Sequence, residues 1–160
     1  MSVSGGIGGL MNRIYDRMRH PDAFSINLGD ATHGSFESLR RHSYAVVVTF
    51  RRSGVAVPSP VWFGLDDDGR AYVRTPRHAG KVKRIRNDPR VLLAPCTVRG
   101  RPKGPALVGT GRVLPKEEWP HAEAALAAAY GIGRRWYERA LGGPEDAGTY
   151  LEIAPSPSPA

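Results

Sequence analysis

Apolar positions along the chain change period twice. Leu10, Met11, Ile14, Tyr15 and Met18 recur at helical spacing, with Asn12, Arg13, Asp16, Arg17 and Arg19 on the other face. This pattern predicts a short amphipathic helix that ends at Pro21. Residues 21–34 are polar and irregular and read as a connection. Ser35–Arg41 predicts one or two helical turns, with Ser35 as a plausible cap. The period then shortens. Tyr44–Phe50 is β-branched and nearly all apolar, which predicts a buried strand. Val55–Val57 resumes extended structure, Pro58-Ser59-Pro60 is expected to interrupt the ladder, and Val61–Leu65 continues it. Asp66-Asp67-Asp68-Gly69 is a hairpin signal, read as a solvated turn rather than a calcium loop. Further strands are expected at Arg70–Thr75, at Val91–Val98 with a possible break at Pro95, at Ala106–Leu114 and at Thr149–Ile153.

Three more helices complete the pattern. Val82 and Ile85, three apart, give the basic run a short helix with one apolar side, stopped at Asn87-Asp88-Pro89. Pro115 opens a helix whose alanine-rich body, Ala122–Tyr130, is a strong helix former. Arg134–Leu141 predicts a second short helix, closed by glycines. Gly109 and Gly111 in the penultimate strand mark a bulge or a close backbone approach. About six strands joined mainly by hairpins predict a mainly β (α+β) protein: a six-stranded antiparallel barrel with helices at its margins. Residues 1–34 are read as an N-terminal extension, 35–154 as the barrel domain and 155–160 as a disordered tail.

Composition narrows the chemistry. With 160 residues the chain can bury a real core as one domain. A formal net charge of +8 favours anionic partners. The single Cys96 excludes an internal disulfide or a multi-cysteine metal site, and the histidines lack metal-ligand spacing, so no metal is expected. No apolar run approaches the roughly 20 residues of a membrane span, and Met1–Gly9 lacks the features of a signal peptide, so a cytoplasmic protein is expected. The glycines near the N-terminus are not a dinucleotide fingerprint, because no strand precedes them. The cations concentrate in Arg77–Arg90, between a strand and the helix that follows it, which is a natural place for a phosphate.

The stretches Tyr44–Phe50, Pro58–Phe63 and Gly80–Val91, with a helix ending in Tyr130-Gly131, resemble the flavin and deazaflavin oxidoreductases of split β-barrel fold related to pyridoxamine 5′-phosphate oxidase. The pattern looks most like the branch that uses the 8-hydroxy-5-deazaflavin coenzyme F420. The resemblance spans roughly Phe36–Ile153. It implies a homodimer with cofactor sites at the subunit interface, and a redox enzyme that moves a hydride between F420 and a conjugated acceptor. It implies that Val57, Pro58, Ser59, Pro60, Val61 and Trp62 lie beside the ring, and that Thr75, Lys81 and neighbouring cations hold the phosphate side of the cofactor tail. Several relatives carry an arginine two residues before that lysine, where this chain has Ala79; Arg77, His78, Lys83 and Arg84 are the candidates to replace it. Lys81 is expected to be exposed in this phosphate site.

F420 carries a phosphodiester and glutamates, so the surplus of cations leans toward it; FMN, with one phosphate, is the alternative. A haem- or tetrapyrrole-binding relative and a basic nucleic-acid-binding module are the rivals. The last is disfavoured, because no nucleic-acid motif accompanies the basic run and no aromatics interleave it. The catalytic residue is unknown, with His33, Tyr130 and Tyr137 conceivable as proton donors. Trp62 and Trp136 are candidates either for a pocket wall or for the core.

Overall fold

The computed structural model describes residues 19–130 and 148–157. Its frame is a seven-stranded sheet: β1 (Tyr44–Phe50), β2 (Ala56–Trp62), β3 (Gly64–Leu65), β4 (Ala71–Pro76), β5 (Arg90–Cys96), β6 (Leu107–Val113) and β7 (Gly148–Pro155). The order across the sheet is β2-β1-β5-β6-β7-β4-β3, and every strand pair is antiparallel. β2 and β4 stand far apart in that order, yet they touch. The sheet therefore curls into a half-closed barrel. Two helices complete it: α1 (Gly80–Asn87) and α2 (Trp119–Tyr130).

Alternation along β1 explains why its sequence is apolar throughout. Ala45 and Val47 point into the main core, with Val73, Leu93, Leu151 and Ile153. Val46, Val48 and Phe50 point the other way, into a second cluster that includes Ala23, Leu92 and Ala94. A strand covered on both faces cannot alternate apolar and polar residues. Helix α1 plugs the main core with Val82 and Ile85, both buried. Burying a side chain of this size contributes about 1.5–3 kcal/mol. A third cluster lies under α2, where Ala122, Ala125 and Leu126 meet Tyr72, Leu114 and Tyr150.

Several expectations change. Seven strands replace six, because Phe63 divides the stretch 56–65 into β2 and β3. The prolines do not interrupt the ladder: β2 pairs with β1 without a break from Ala56↔Phe50 to Trp62↔Tyr44. Pro95 does not break β5 either; it pairs with Ala45. Residues 20–34 pack on the barrel: Ala23 is fully buried and the Thr32 N–H donates to the Ala106 carbonyl at 2.9 Å. The tail is held at its start: Pro155 ends β7, and the Ser156 N–H donates to the Val108 carbonyl at 3.0 Å. The turns at Pro21–Ser25, Leu28–Asp30, Glu37–Arg41 and Lys116–Glu118 are 3-10 turns. Ser35 does serve its turn, accepting from the Glu37 N–H at 3.1 Å.

Gly109 and Gly111 mark close approach rather than a bulge, as the register of β6 with β7 is continuous. A Cβ on Gly109 would stand 2.7 Å from the Ile153 Cγ2, and one on Gly111 would stand 2.9 Å from the Val91 Cγ2. The helices expected at 10–18 and 134–141, with Trp136 and Tyr137, lie outside the described residues. No described helix is long and apolar enough to cross a membrane.

Candidate functional site

The basic run folds as its spacing predicts, and the fold sorts its cations. Val82 and Ile85 turn inward and fix the rotation of α1. Lys81 and Arg84, next to them, are thereby drawn half into the barrel, whereas Arg77, His78 and Lys83 are exposed. The Lys81 ammonium donates to the Thr75 hydroxyl of β4 at 3.2 Å. The Arg84 guanidinium donates through Nε to the Thr49 hydroxyl of β1 at 2.6 Å. Both threonines are buried, at 4% and 0% exposure, so neither cation tip is simply solvated. Lys81 is therefore not the exposed lysine expected from sequence.

Helix α1 begins at this point. Its N-cap is Ala79, which offers no side-chain cap, so the first N–H groups lack a side-chain acceptor there. The Arg84 side chain folds back over this end: a Cβ on Gly80 would stand 2.6 Å from one guanidinium nitrogen. The space a Cβ would take at Gly80 is filled by the far end of the Arg84 side chain. The Arg84 side chain thus brings a cation to the start of the helix, next to Ala79.

Charges of one sign collect here. Burial first, then the Arg84 and Arg19 guanidiniums, push Lys81 down to about 8. Burial, then Arg51 and Arg19, lower Arg84 as well. Among the described residues the partners of Lys81 and Arg84 are threonine hydroxyls, and no carboxylate pairs with either. A cluster of cations, two hydroxyls and a helix N-terminus is chemically an anion site.

β2 borders the cluster. Val57 lies opposite Thr49 in the ladder, so Val57, Ser59 and Val61 share the sheet face that carries Thr49, Val47 and Ala45. Pro58, Pro60 and Trp62 belong to the other face, where Pro60 approaches Gly100. The six ring-side residues are thus divided, three to each face. Trp62 stacks on Tyr130 at 5.1 Å between ring centroids and meets Tyr44 at 6.1 Å. Tyr130 is an anchor: its hydroxyl donates to the Ser43 carbonyl and accepts from the Phe63 N–H. Its hydrogen is already engaged, which removes it as a ready proton donor. Tyr130 also lines a cavity of about 380 Å³, together with His42, Phe63, Leu65 and Ala129 among others. His33 binds the Ser156 carbonyl through Nδ1 at 3.2 Å and ties the N-terminal segment to the end of β7.

Sequence reasoning missed Thr49, Arg51 and Arg19. Thr49 had a legible signal, as the one interior hydroxyl in an otherwise apolar run, on the face of Ala45 and Val47. Arg51 and Arg19 had none, because only the closure of the fold brings them to α1. The loop 99–103 contributes none of the charges acting on Lys81 or Arg84; it packs on the N-terminal segment, where the His20 N–H donates to the Arg99 carbonyl at 2.7 Å. No group of three metal-ligating side chains is present among the described residues.

No protein-family model matches the chain, and no curated protein matches its sequence. Solved structures do match its shape. The heme storage protein HutZ from Vibrio cholerae superposes with a TM-score of 0.56 at 13% identity, over 77% of this chain and 92% of HutZ. A FAD-binding protein from Mesorhizobium loti gives 0.55 at 15% identity, over 74% of this chain and 84% of that one. A conserved hypothetical protein from Mycobacterium tuberculosis gives 0.56 at 13% identity, over 81% and 84%. At these identities the likeness speaks for architecture. The chain shares the antiparallel split β-barrel architecture of these structures.

Proposed function

We propose that the protein is an F420-dependent oxidoreductase, with FMN as the alternative cofactor. The observation that carries this reading is the cation cluster of Lys81 and Arg84, unpaired with any carboxylate among the described residues and seated on Thr75 and Thr49 at the start of α1, which has no side-chain cap. Charges of one sign held half-buried and without carboxylate partners are costly unless an anion joins them. The phosphate of the cofactor tail is that anion, and the exposed Arg77, His78 and Lys83 attract the rest of an acidic tail.

Val57, Ser59 and Val61 continue from the cluster along the same face and offer the ring a flat, mostly apolar border. When bound, the cofactor supplies a hydride; the chain's task is to orient the ring and exclude water. Lys81 and Arg84 fix the tail, and Trp62, held by Tyr130, walls one end of β2. A homodimer that completes the ring site and a cytoplasmic location accompany this reading. Fold neighbours include a heme storage protein and a FAD-binding protein, and the phosphate-type site favours the second kind of ligand.

The test is an absorption titration of the purified protein with F420, FMN and haemin. Micromolar binding of F420, tighter than FMN and displaced by inorganic phosphate, is expected. If neither F420 nor FMN binds at micromolar concentration, the redox reading falls.

A further inference from the structure

The cavity beside Tyr130 is made by one close approach and one prop. At Gly64 of β3 the sheet meets α2 directly: a Cβ there would stand 2.5 Å from the Ala125 carbonyl oxygen. Further along, Tyr130 holds the helix by its hydroxyl, which donates to the Ser43 carbonyl and accepts from the Phe63 N–H. Besides Tyr130, the helix lends the cavity only the methyl groups of Ala128 and Ala129, and about 380 Å³ stays open. The alanine-rich end of α2 thus leaves room that larger side chains would fill.

The lining has two characters. Its floor is apolar, with Phe63 and Leu65 both buried. Its rim is basic, because Arg40, Arg41 and His42 follow one another at the end of the Glu37–Arg41 turn. Arg40 is committed to Glu37, through bonds of 2.9 and 2.8 Å. Among the described residues no carboxylate engages Arg41 or His42, and none lines the cavity. Ligand sites are mostly apolar hollows of this size or larger, with a few polar groups that fix orientation. An arginine fork matches the planar, two-oxygen face of one carboxylate.

We infer that this cavity is a second ligand site, for a small carboxylate with an apolar body. Phe63 and Leu65 underlie the body, and Arg41 and His42 receive the carboxylate. The site shares no residue with the cation cluster at α1. Ser43 borders it just before β1, whereas Thr49 meets Arg84 near the far end of that strand, ~20 Å away along the chain. The inference therefore stands whichever cofactor the cluster holds.

The test is a calorimetric titration of the purified full chain with octanoate and with octanamide, its uncharged counterpart. Octanoate is expected to bind at submillimolar concentration, and octanamide about tenfold more weakly or worse. Arg41→Gln, at an exposed position, is expected to remove that preference and to leave the affinity for the amide unchanged. Ala129→Phe, also at an exposed position, fills the cavity and is expected to abolish binding of both, with the melting temperature unchanged. Lys81→Ala is expected to leave octanoate binding as it was. Octanoate bound no better than octanamide overturns the inference, as does octanoate bound equally well after Ala129→Phe. Absence of octanoate binding at millimolar concentration overturns it too. None of these outcomes alters the titration with F420 and FMN, so this site and the cofactor reading stand or fall separately.

Discussion

Strand β4 carries two charged neighbourhoods on its opposite faces, and they are built on different principles. On the inner face, Thr75 supports Lys81, with Arg84 on Thr49 nearby and no carboxylate in contact with either among the described residues. On the outer face, Tyr72 sits in a network of both signs. Its hydroxyl lies 3.1 Å from Asp66 and 3.0 Å from Glu152. His121 of α2 meets Asp66 at 2.9 Å, and Arg112 bridges Glu152 and Glu118. Burial favours the neutral form of Asp66, but hydrogen bonds from His121, the Arg70 N–H and Tyr72 outweigh it and hold the carboxyl below its ordinary range. Burial, then Glu152 and Asp66, raise the Tyr72 phenol well above its usual value. The outer network pairs charges of both signs and is satisfied from within, so it fastens α2 to the sheet. Among the described residues the inner cluster has no such pairing, and Lys81 and Arg84 bring charges of one sign.

That contrast predicts opposite phenotypes. The largest effect is expected from Lys81→Ala: affinity for F420 or FMN falls roughly ten- to hundredfold, about 1.5–3 kcal/mol for a charge-assisted hydrogen bond. The empty protein melts no earlier, because a half-buried like charge has been removed. An unchanged dissociation constant in the same titration would place the tail elsewhere. Glu152→Gln should do the reverse. It leaves Arg112 with one carboxylate and costs about 1.5 kcal/mol of stability in a urea titration. Cofactor affinity stays within twofold, and a matching loss of affinity would erase the distinction between the two faces.

The smallest effect is expected from pH. Lys81 is held at about 8 against an ordinary 10.5. The folded chain therefore binds this proton less tightly than the unfolded one, and the empty protein gains stability as pH rises from about 8 towards 10.5. Cofactor affinity moves the other way, falling several-fold across the same window as the ammonium is lost. A flat affinity profile between pH 7 and 10 that is unaltered by Lys81→Ala would sink this.

Much of the frame was legible. Tyr44–Phe50, the Asp-Gly turn and the Val82/Ile85 pair each carry their own local reason, and each fell where expected. What local pattern could not supply was the edge status of β2. Prolines break a central ladder but are compatible with an outer strand, and only the sheet order shows which applies. Asp66 was misread for a related reason. In a run of three aspartates it looks solvated, yet Tyr72 and His121, six and 55 positions away, draw it under α2. Thr75, Lys81 and Arg84 lie close together on the inner face. Val57–Trp62 did not act as one surface, because a strand alternates its faces.

The two glycines of β6 have a consequence for how the strands find their alignment. Gly109 leaves room for Phe36 and Ile153, and Gly111 for Ile85 and Val91. A slip of one position would set Thr110 or Arg112 against those apolar groups, and a slip of two would bring Leu107 or Val113 into space already filled. Two missing side chains thus act as a key cut into the strand: α1 and the Phe36 turn can seat only when β6 is in its native register, so the basic helix reaches its post at Thr49 and Thr75 only on a correctly assembled sheet.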